Sequence, residues 1–414
     1  MAASAAGDIP ALVQRLRSGS AAEQTAAAAA LAGLVKDGPD QTARQNAIVA
    51  AGGAPALVRL LRRSGRVTVQ AAVCWALQRL AYRNPNSQAA VAAAGGIALL
   101  ARLLHASSND RVLGSAAEAL SNLAQHATSN ADAVAATNCV PRALQLLRDS
   151  SDEEVHASAA MLLGNLAGNL DVCAKEIVAC GGAAVLVARL QSSHAAVQEA
   201  AAGTLTNLAL NRGWAVTLAD AGAIPALARL LCSSEDAAVL DAAAAALGNL
   251  SDHGALADAV SAAAAACGAG PRFVHLLRSS GDDAMATAAA HTLARVLCSS
   301  PAAAAAVHAA GGRAALQRHA DSCRARMRKH VAEALKHLDA HAKPAAAPPA
   351  PTPRAPRVCA AESCTASAHV RHCAGCGRVR YCSVACGEAH WRAHRRDCKR
   401  WRAEAEAAPA TKQR

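Results

Sequence analysis

The sequence predicts an all-α chain built as a solenoid of stacked helical repeats, and three observations carry that prediction. Aromatic residues make up 2% of the 414 residues, while the hydrophobic class reaches 53%, most of it alanine. A core of Ala, Leu and Val is thin and suits closely packed helices better than sheets. One phrase also recurs: GGAPALVRLL at 52–61, GAIPALARLL at 222–231 and GAGPRFVHLL at 268–277. Equivalent starts fall at Gly52, Gly95, Cys139, Gly181, Gly222, Gly268 and Gly311, spaced by 43, 44, 42, 41, 46 and 43 residues. A degenerate copy precedes them at Ile9, and the last copy loses the polar–apolar grammar. Finally, each copy reads as three helices, apolar on one face, that bury those faces only by stacking on neighbours.

Residues 212–250 show the parts in order. Residues 212–221 form a short first helix, ended by Gly222, where a left-handed or sharply bent residue is needed. Residues 224–231 form the second helix. Pro225 stands in its first turn, where a missing N–H costs nothing, and Pro10, Pro55, Pro141 and Pro271 take the matching place. Ser233 and Ser234 then offer capping hydroxyls to a longer third helix ending Ala-Leu-Gly-Asn-Leu at 246–250. Ser107–Ser108, Ser150–Ser151, Ser192–Ser193 and Ser279–Ser280 repeat that cap.

The repeat resembles the armadillo repeat over about residues 9–340, through its Gly–x–Ile/Ala–Pro starts and Leu–x–Asn–Leu endings. The resemblance implies a right-handed armadillo-type α-solenoid spanning 9–343, after an N-terminal extension of residues 1–8. It also implies that the third helices line a groove in which an asparagine near each helix end contacts the backbone of an extended peptide. Asn122, Asn165, Asn207 and Asn249 occupy that slot, and Gly33, Arg79, Arg295 and His337 depart from it. An amide pairs a peptide bond without reading its side chain, and it equally satisfies helix-end carbonyls. Import carriers of this family place a tryptophan four residues before each asparagine. Here that slot holds Glu118, Met161, Gly203 and Ala245, with Trp75 the one match, which argues against an importin-like role.

After Lys343 the composition changes to a proline- and alanine-rich linker, 344–357, that lacks core side chains and behaves as an extended tether. Beyond it, eight zinc-type ligands crowd into forty residues: Cys359, Cys364, Cys373, Cys376, Cys382, Cys386, His394 and Cys398. Four ligands close one tetrahedral site, so eight imply two structural zinc ions with no vacancy for water. The last two pairs, Cys382/Cys386 and His394/Cys398, have helical i, i+4 spacing. The order resembles the MYND zinc finger, through Arg380–Cys386 (RYCSVAC) and His390–His394 (HWRAH). The resemblance implies interleaved ligation, with Cys359, Cys364, Cys382 and Cys386 on one ion and Cys373, Cys376, His394 and Cys398 on the other. His390 is a rival ligand by position. The resemblance further implies that Tyr381 and Trp391 help bind proline-containing peptides, although Gly387 stands where the family has glutamine. The finger spans 358–398, and a basic, disordered tail is expected over 399–414.

Charge and cysteine use bound the function. Residues 1–310 carry 21 Lys/Arg against 22 Asp/Glu, so the excess of +12 sits in the C-terminal quarter, where 344–414 holds 13 against 5. Seven thiolates and two zinc ions reduce that local +8 to about +5, a weak patch that disfavours nucleic-acid binding. No stretch reads as a membrane span, and the start lacks the order of a secretory signal. Scattered single cysteines in the body fit small buried hydrophobes in a reducing compartment, cytoplasmic or nuclear. No phosphate-cradling loop or nucleophile motif is present, and the Gly-Gly pairs mark repeat boundaries. The sequence therefore predicts a non-enzymatic protein–protein scaffold, binding extended peptides in the groove and proline-containing motifs at the finger. The alternative is a ubiquitin-ligase component or a nuclear transcriptional co-regulator.

Overall fold

Every repeat turns on one left-handed residue between its first and second helices. Gly52, Gly95, Gly181, Gly222, Gly268 and Gly311 have φ between 72° and 85°, and Asn138 takes the same place at 58°. Asparagine is among the few side-chain-bearing residues that tolerate this conformation, which explains how the copy at Cys139 keeps the turn without glycine. Where a second glycine follows, its lack of a side chain matters as well. A Cβ on Gly96 would sit 2.6 Å from Val91 Cγ1 and 2.9 Å from its carbonyl oxygen, so the second helix starts against the end of the first.

The computed structural model describes residues 9–125, 128–297, 301–321, 324–341, 371–372, 380–381 and 384–407. The chain divides into two compact units, Met1–Ala342 and Lys343–Arg414. The first opens with the partial copy, α1 (Ile9–Ser18) and α2 (Ala21–Leu34). Seven copies of three helices follow. They are α3 (Gln41–Ala50), α4 (Gly53–Arg63) and α5 (Val67–Ala81); α6 (Pro85–Ala93), α7 (Gly96–Ala106) and α8 (Asp110–Ala124). Next come α9 (Thr128–Ala135), α10 (Cys139–Asp149) and α11 (Glu153–Asn169), then α12 (Asp171–Ala179), α13 (Gly182–Arg189) and α14 (Ala195–Ala209). The remaining copies are α15 (Arg212–Asp220), α16 (Ala223–Ser233) and α17 (Ala237–Ser251); α18 (Ala257–Ala266), α19 (Ala269–Ser279) and α20 (Asp283–Thr292); and α21 (Pro301–Ala309), α22 (Gly312–Gln317) and α23 (Ala325–Ala340). A π-helical turn, Leu293–Leu297, extends α20. No single described helix is long and apolar enough to cross a membrane.

The third helices pack on one another in an unbroken row from α2 to α23, and this row carries the core. Leu77, Leu120, Leu163, Leu205, Leu247 and Leu293 recur at one position of the row and are all fully buried. Each such leucine contributes roughly 1.5–3 kcal/mol of burial. Small residues between them let the helices approach: a Cβ on Gly164 would meet Thr204 Oγ1 at 2.9 Å. Phe273, the chain's one phenylalanine, is fully buried on α19.

The serine pairs do a different job from the one their position suggests. Ser107, Ser150, Ser192, Ser234 and Ser280 each accept, at 3.0–3.2 Å, from the backbone N–H two residues on. The third-helix N-caps are instead Asn109, Asp152, Asp236 and Asp282, whose side chains accept from first-turn N–H groups. The serine closes the turn, and the carboxylate or amide oxygen, a stronger acceptor, takes the helix end.

In the second unit, β1 (Arg371–His372) pairs antiparallel with β2 (Arg380–Tyr381), and α24 runs from Val384 to Ala407. The expected tail boundary at 398 is therefore passed by the helix, whose residues 402–407 are Arg, Ala and Glu, strong helix formers. Residues 408–414 lie outside the described residues, as do the linker and Cys359, Cys364, Cys373, Cys376 and Cys382.

Candidate functional site

The asparagine slot forms a ladder of hydrogen bonds from repeat to repeat. Nδ2 of Asn122 donates to the Gln78 carbonyl at 3.2 Å, and that of Asn165 to the Ser121 carbonyl at 3.1 Å and its Oγ at 2.8 Å. Asn207 donates to the Gly164 carbonyl at 2.8 Å and Asn249 to the Thr206 carbonyl at 3.0 Å. In each case the acceptor is the residue just before the equivalent slot one repeat earlier. The two arginines that break the sequence pattern continue the ladder. Arg79 donates to the Val35 carbonyl at 3.0 and 2.6 Å, and Arg295 donates to Asn249 Oδ1 at 3.1 Å and pairs with Asp252 at 2.9 Å. Arg79 thus reaches a backbone carbonyl of the preceding copy, as the amides do, whereas Arg295 reaches side-chain oxygens.

Two troughs, of about 990 and 780 Å³, run along the third-helix row and share Met161 and Ala196. Asn165 and Asn207 line the second trough, whereas Asn122 is buried beneath the row and Asn249 has its oxygen occupied by Arg295. The ladder therefore uses the amide N–H of all four residues. It leaves Oδ1 of Asn165 and Asn207 without a partner in the chain among the described residues. Trp75, Val67 and Met161, three of the six exposed large apolar side chains described in this unit, line the first trough.

Acidic groups mark both troughs. Burial pushes the Glu118 carboxyl up, Gln78 and Arg79 offset part of this, and Glu154 adds to it. Glu199 is raised by burial and by Asp236 and Asp241. Burial also acts upward on Asp241, yet the His291 hydrogen bond and charge, with Arg326, bring it below the usual carboxylate range. His291 Nδ1 lies 2.6 Å from Asp241 Oδ1, and Arg326 pairs with the other carboxylate oxygen. The His291 ring stacks on that of His330 at 4.4 Å between centroids. His330 is 8% exposed, and neither ring nitrogen finds a partner. Nothing in the spacing of residues 241, 291 and 330 signalled this cluster.

On the finger helix, Cys386, His390, His394 and Cys398 follow one another at four-residue steps along one stripe of α24. His394 and Cys398 are buried, and Cys386 and His390 are half-buried. The His390 and His394 rings stack at 6.2 Å, and the Trp391 ring meets His394 edge-on at 6.0 Å while remaining 46% exposed. Among the described residues no group of three or more potential ligands converges, because five of the eight expected ligands lie outside them. The donors present, the half-buried Cys386 thiol with the buried Cys398 thiol and His394 imidazole, are of the chemistry zinc takes. Cys386, His394 and Cys398 are the residues of this helix that would serve as zinc ligands. The side chain of Tyr381 lies outside the described ones.

Comparison with known proteins agrees with this architecture. The model of the armadillo/beta-catenin-like repeat matches residues 45–82, 84–125, 171–210 and 215–252, and that of the MYND finger matches 358–398. The chain is an armadillo-repeat protein with a MYND finger. An engineered protein of known structure is 34% identical over 80% of this chain and 79% of its own, with a TM-score of 0.60. A designed armadillo repeat protein matches 58% of this chain and 99% of its own at 26% identity and a TM-score of 0.52. A computationally designed armadillo repeat protein for modular peptide recognition matches the same shares at 25% and 0.50. No curated protein matched the sequence. In the stretch between 125 and 171, which the armadillo model does not match, α9–α11 nevertheless supply a full repeat, turned by Asn138. Both modules are typically non-catalytic interaction domains, and the MYND family binds zinc.

Proposed function

We propose that this protein is a non-enzymatic scaffold. Its armadillo groove holds extended peptide segments of partner proteins, and its MYND finger, closed by two structural zinc ions, holds proline-containing ones. The observation that carries the reading is the pair Asn165 and Asn207. Each has its N–H committed to the preceding repeat and its carbonyl oxygen unpartnered at one trough. An acceptor fixed in this way is preorganised for the N–H of an extended chain. The designed relative built for modular peptide recognition supports the same use of the fold. At the finger, exposed Trp391, braced edge-on against buried His394, offers a flat apolar surface suited to a proline ring. A thiolate-rich metal site persists in reducing surroundings, so the cytosol or nucleus is the proposed setting.

Fluorescence anisotropy with an array of labelled 12-residue peptides tests the groove. Replacing Asn165 and Asn207 together by Asp, which keeps the shape and an acceptor, should shift affinities for peptides bound there. Unchanged affinities would locate binding elsewhere. Native mass spectrometry of the full chain should count two zinc ions, and one or none would remove the MYND part of the proposal.

A further inference from the structure

We propose that the hollow between α1 and α4, at the N-terminal end of the solenoid, binds a compact polyphosphate, a small anion carrying two or more phosphate groups. The site shares no residue with either trough and stands apart from the peptide groove. Four arginines line it with no counter-charge among them.

The hollow measures about 320 Å³ and is lined by Arg17 from α1, Arg59 and Arg63 from α4, and Arg66 from the loop that follows. Arg59 and Arg63 stand one helical turn apart and share a face. No acidic and no aromatic residue is part of the lining. None of the four guanidinium groups has a hydrogen-bond or ion-pair partner among the described residues. Arg17 stands where Arg148 and Arg278 stand in later copies. Those two donate to carbonyls of the next left-handed turn at 2.7 and 2.9 Å, and Arg17 makes no such bond. Residues 9–66 carry 8 Lys/Arg against 3 Asp/Glu, whereas 67–310 carry 13 against 18, so the near-neutral body has a cationic end. The three acids of that end are all taken. Glu23 accepts from the Ser20 N–H at 2.7 Å, Asp37 pairs with Arg79 at 3.6 Å and Asp40 with Arg44 at 3.3 Å.

Later copies serve as internal controls. The position of Arg63 holds Ala106, Asp149, Ser233 and Ser279, and that of Arg66 holds Asn109, Asp152, Asp236 and Asp282. Those Asn and Asp residues cap the third helix, whereas Arg66 makes no side-chain cap bond at the start of α5. The first full copy thus lacks a helix cap and has two cations where its relatives have neutral or acidic groups. Like charges gathered in a concavity with low-dielectric walls focus a field that an incoming anion relieves. Guanidinium forks engage phosphate oxygens in pairs, and four forks are more than a carboxylate or a lone phosphate fills. The volume is that of a small-molecule pocket. With no aromatic face to stack on a base, the occupant is a phosphate cluster and not a nucleotide.

The test titrates the full chain with pyrophosphate, inositol trisphosphate and sulfate by isothermal calorimetry. Both polyphosphates should bind at a single site, at least about tenfold more tightly than sulfate, with affinity falling as salt rises. Arg63→Ser with Arg66→Asp gives the first copy the residues that Ser233 and Asp236 supply in a later one, and adds a cap. This variant should therefore fold, which a circular dichroism melt checks, and should bind both polyphosphates at least about tenfold more weakly. Lys175→Ser with Arg212→Asp makes the same change of charge at exposed positions elsewhere and should leave binding unchanged. Phosphatidylcholine vesicles containing phosphatidylinositol bisphosphate, set against phosphatidylserine vesicles of equal charge, then distinguish the source. Capture by the first alone makes the ligand a lipid headgroup, and capture by neither makes it a soluble polyphosphate. Absence of binding, equal affinity for sulfate, or an equal loss in the two variants would overturn the proposal. Binding of a doubly phosphorylated peptide without either polyphosphate would also overturn it. None of these outcomes bears on the groove at Asn165 and Asn207.

Discussion

Acidification should loosen the C-terminal end of the solenoid through His330. The buried ring has no hydrogen-bond partner, and burial, His291 and Arg326 push its pKa from 6.5 down to about 4, against the smaller upward pull of Asp241 and Glu333. The folded state therefore resists the proton that the unfolded chain accepts near pH 6.5. The stability associated with a neutral His330 is complete above pH 6.5 and is lost as the pH falls from there to about 4. Between pH 7.5 and 5 the linkage amounts to at most about 2 kcal/mol, and to about 1 kcal/mol once screening by water at the open edge of the cluster is allowed for. On a unit spanning Met1–Ala342 that is a fall in Tm of about 1–2 °C. The assay compares melts of the wild type and His330→Phe at pH 7.5, 6.5, 5.5 and 5. Phenylalanine keeps the stack on His291 but cannot titrate. Protonation elsewhere is common to both proteins and cancels in the difference. Parallel Tm curves would refute the reasoning, because they would mean that His330 is already hydrated or hydrogen-bonded in solution.

Asn165→Ala and Asn207→Ala should each cost about 1 kcal/mol of stability by removing a rung between repeats, read by urea unfolding. Unchanged midpoints would show that these amides serve the groove alone. Native alkylation at pH 8 should label exposed Cys180 and spare Cys74, whose thiol is pushed up to about 12, and Cys139 and Cys173, at about 11. Early labelling of the buried three would contradict the packing. Cys232 and Cys267, with Cα atoms 6.2 Å apart, are disulfide-linked in the structure. Peptide mapping after alkylation without reductant should find them linked in oxidised protein and separately modified in a reducing extract. Chelation should release the zinc and lower the helical signal by the share due to the finger helix, leaving the melt of the solenoid in place.

The repeats were legible because their start is set by backbone conformation. A left-handed turn accepts few residues, so Gly52, Gly95 and Gly222 stand out in any reading. The third-helix caps were half legible: the serines are conspicuous, but Asn109, Asp152, Asp236 and Asp282 two residues later hold the helix ends. The ladder was visible where it is made of asparagine and invisible at Arg79 and Arg295. Longer cationic side chains tie to the preceding copy there through other oxygens, and pattern matching by residue type misses them. The cluster of Asp241, His291 and His330 was beyond reach, since its members come from α17, α20 and α23, and only their packing brings them together. The finger itself was plain from the spacing of its Cys and His residues. The continuation of its helix to Ala407 was hidden by reading Arg and Glu as a solvated tail when they are also good helix formers.

The ladder has an end, and the end has a mechanical consequence. Its last rung joins Arg295, on the π-helical turn, to Asn249 and Asp252, and His337 offers no equivalent bond back to α20 among the described residues. The final repeat is thus held by its core contacts, by the cluster around His330, by the bonds of Arg278 to the Ala310 and Gly311 carbonyls and of His319 to the Leu277 carbonyl, and by the Arg324–Asp283 pair, without the rung that links every copy from α2 to the Leu293–Leu297 turn. In a linear array each repeat answers only to its neighbours. A pull transmitted through the linker would therefore peel α21–α23 first and stop where the rungs begin. That makes the last copy a tear-strip between tether and solenoid.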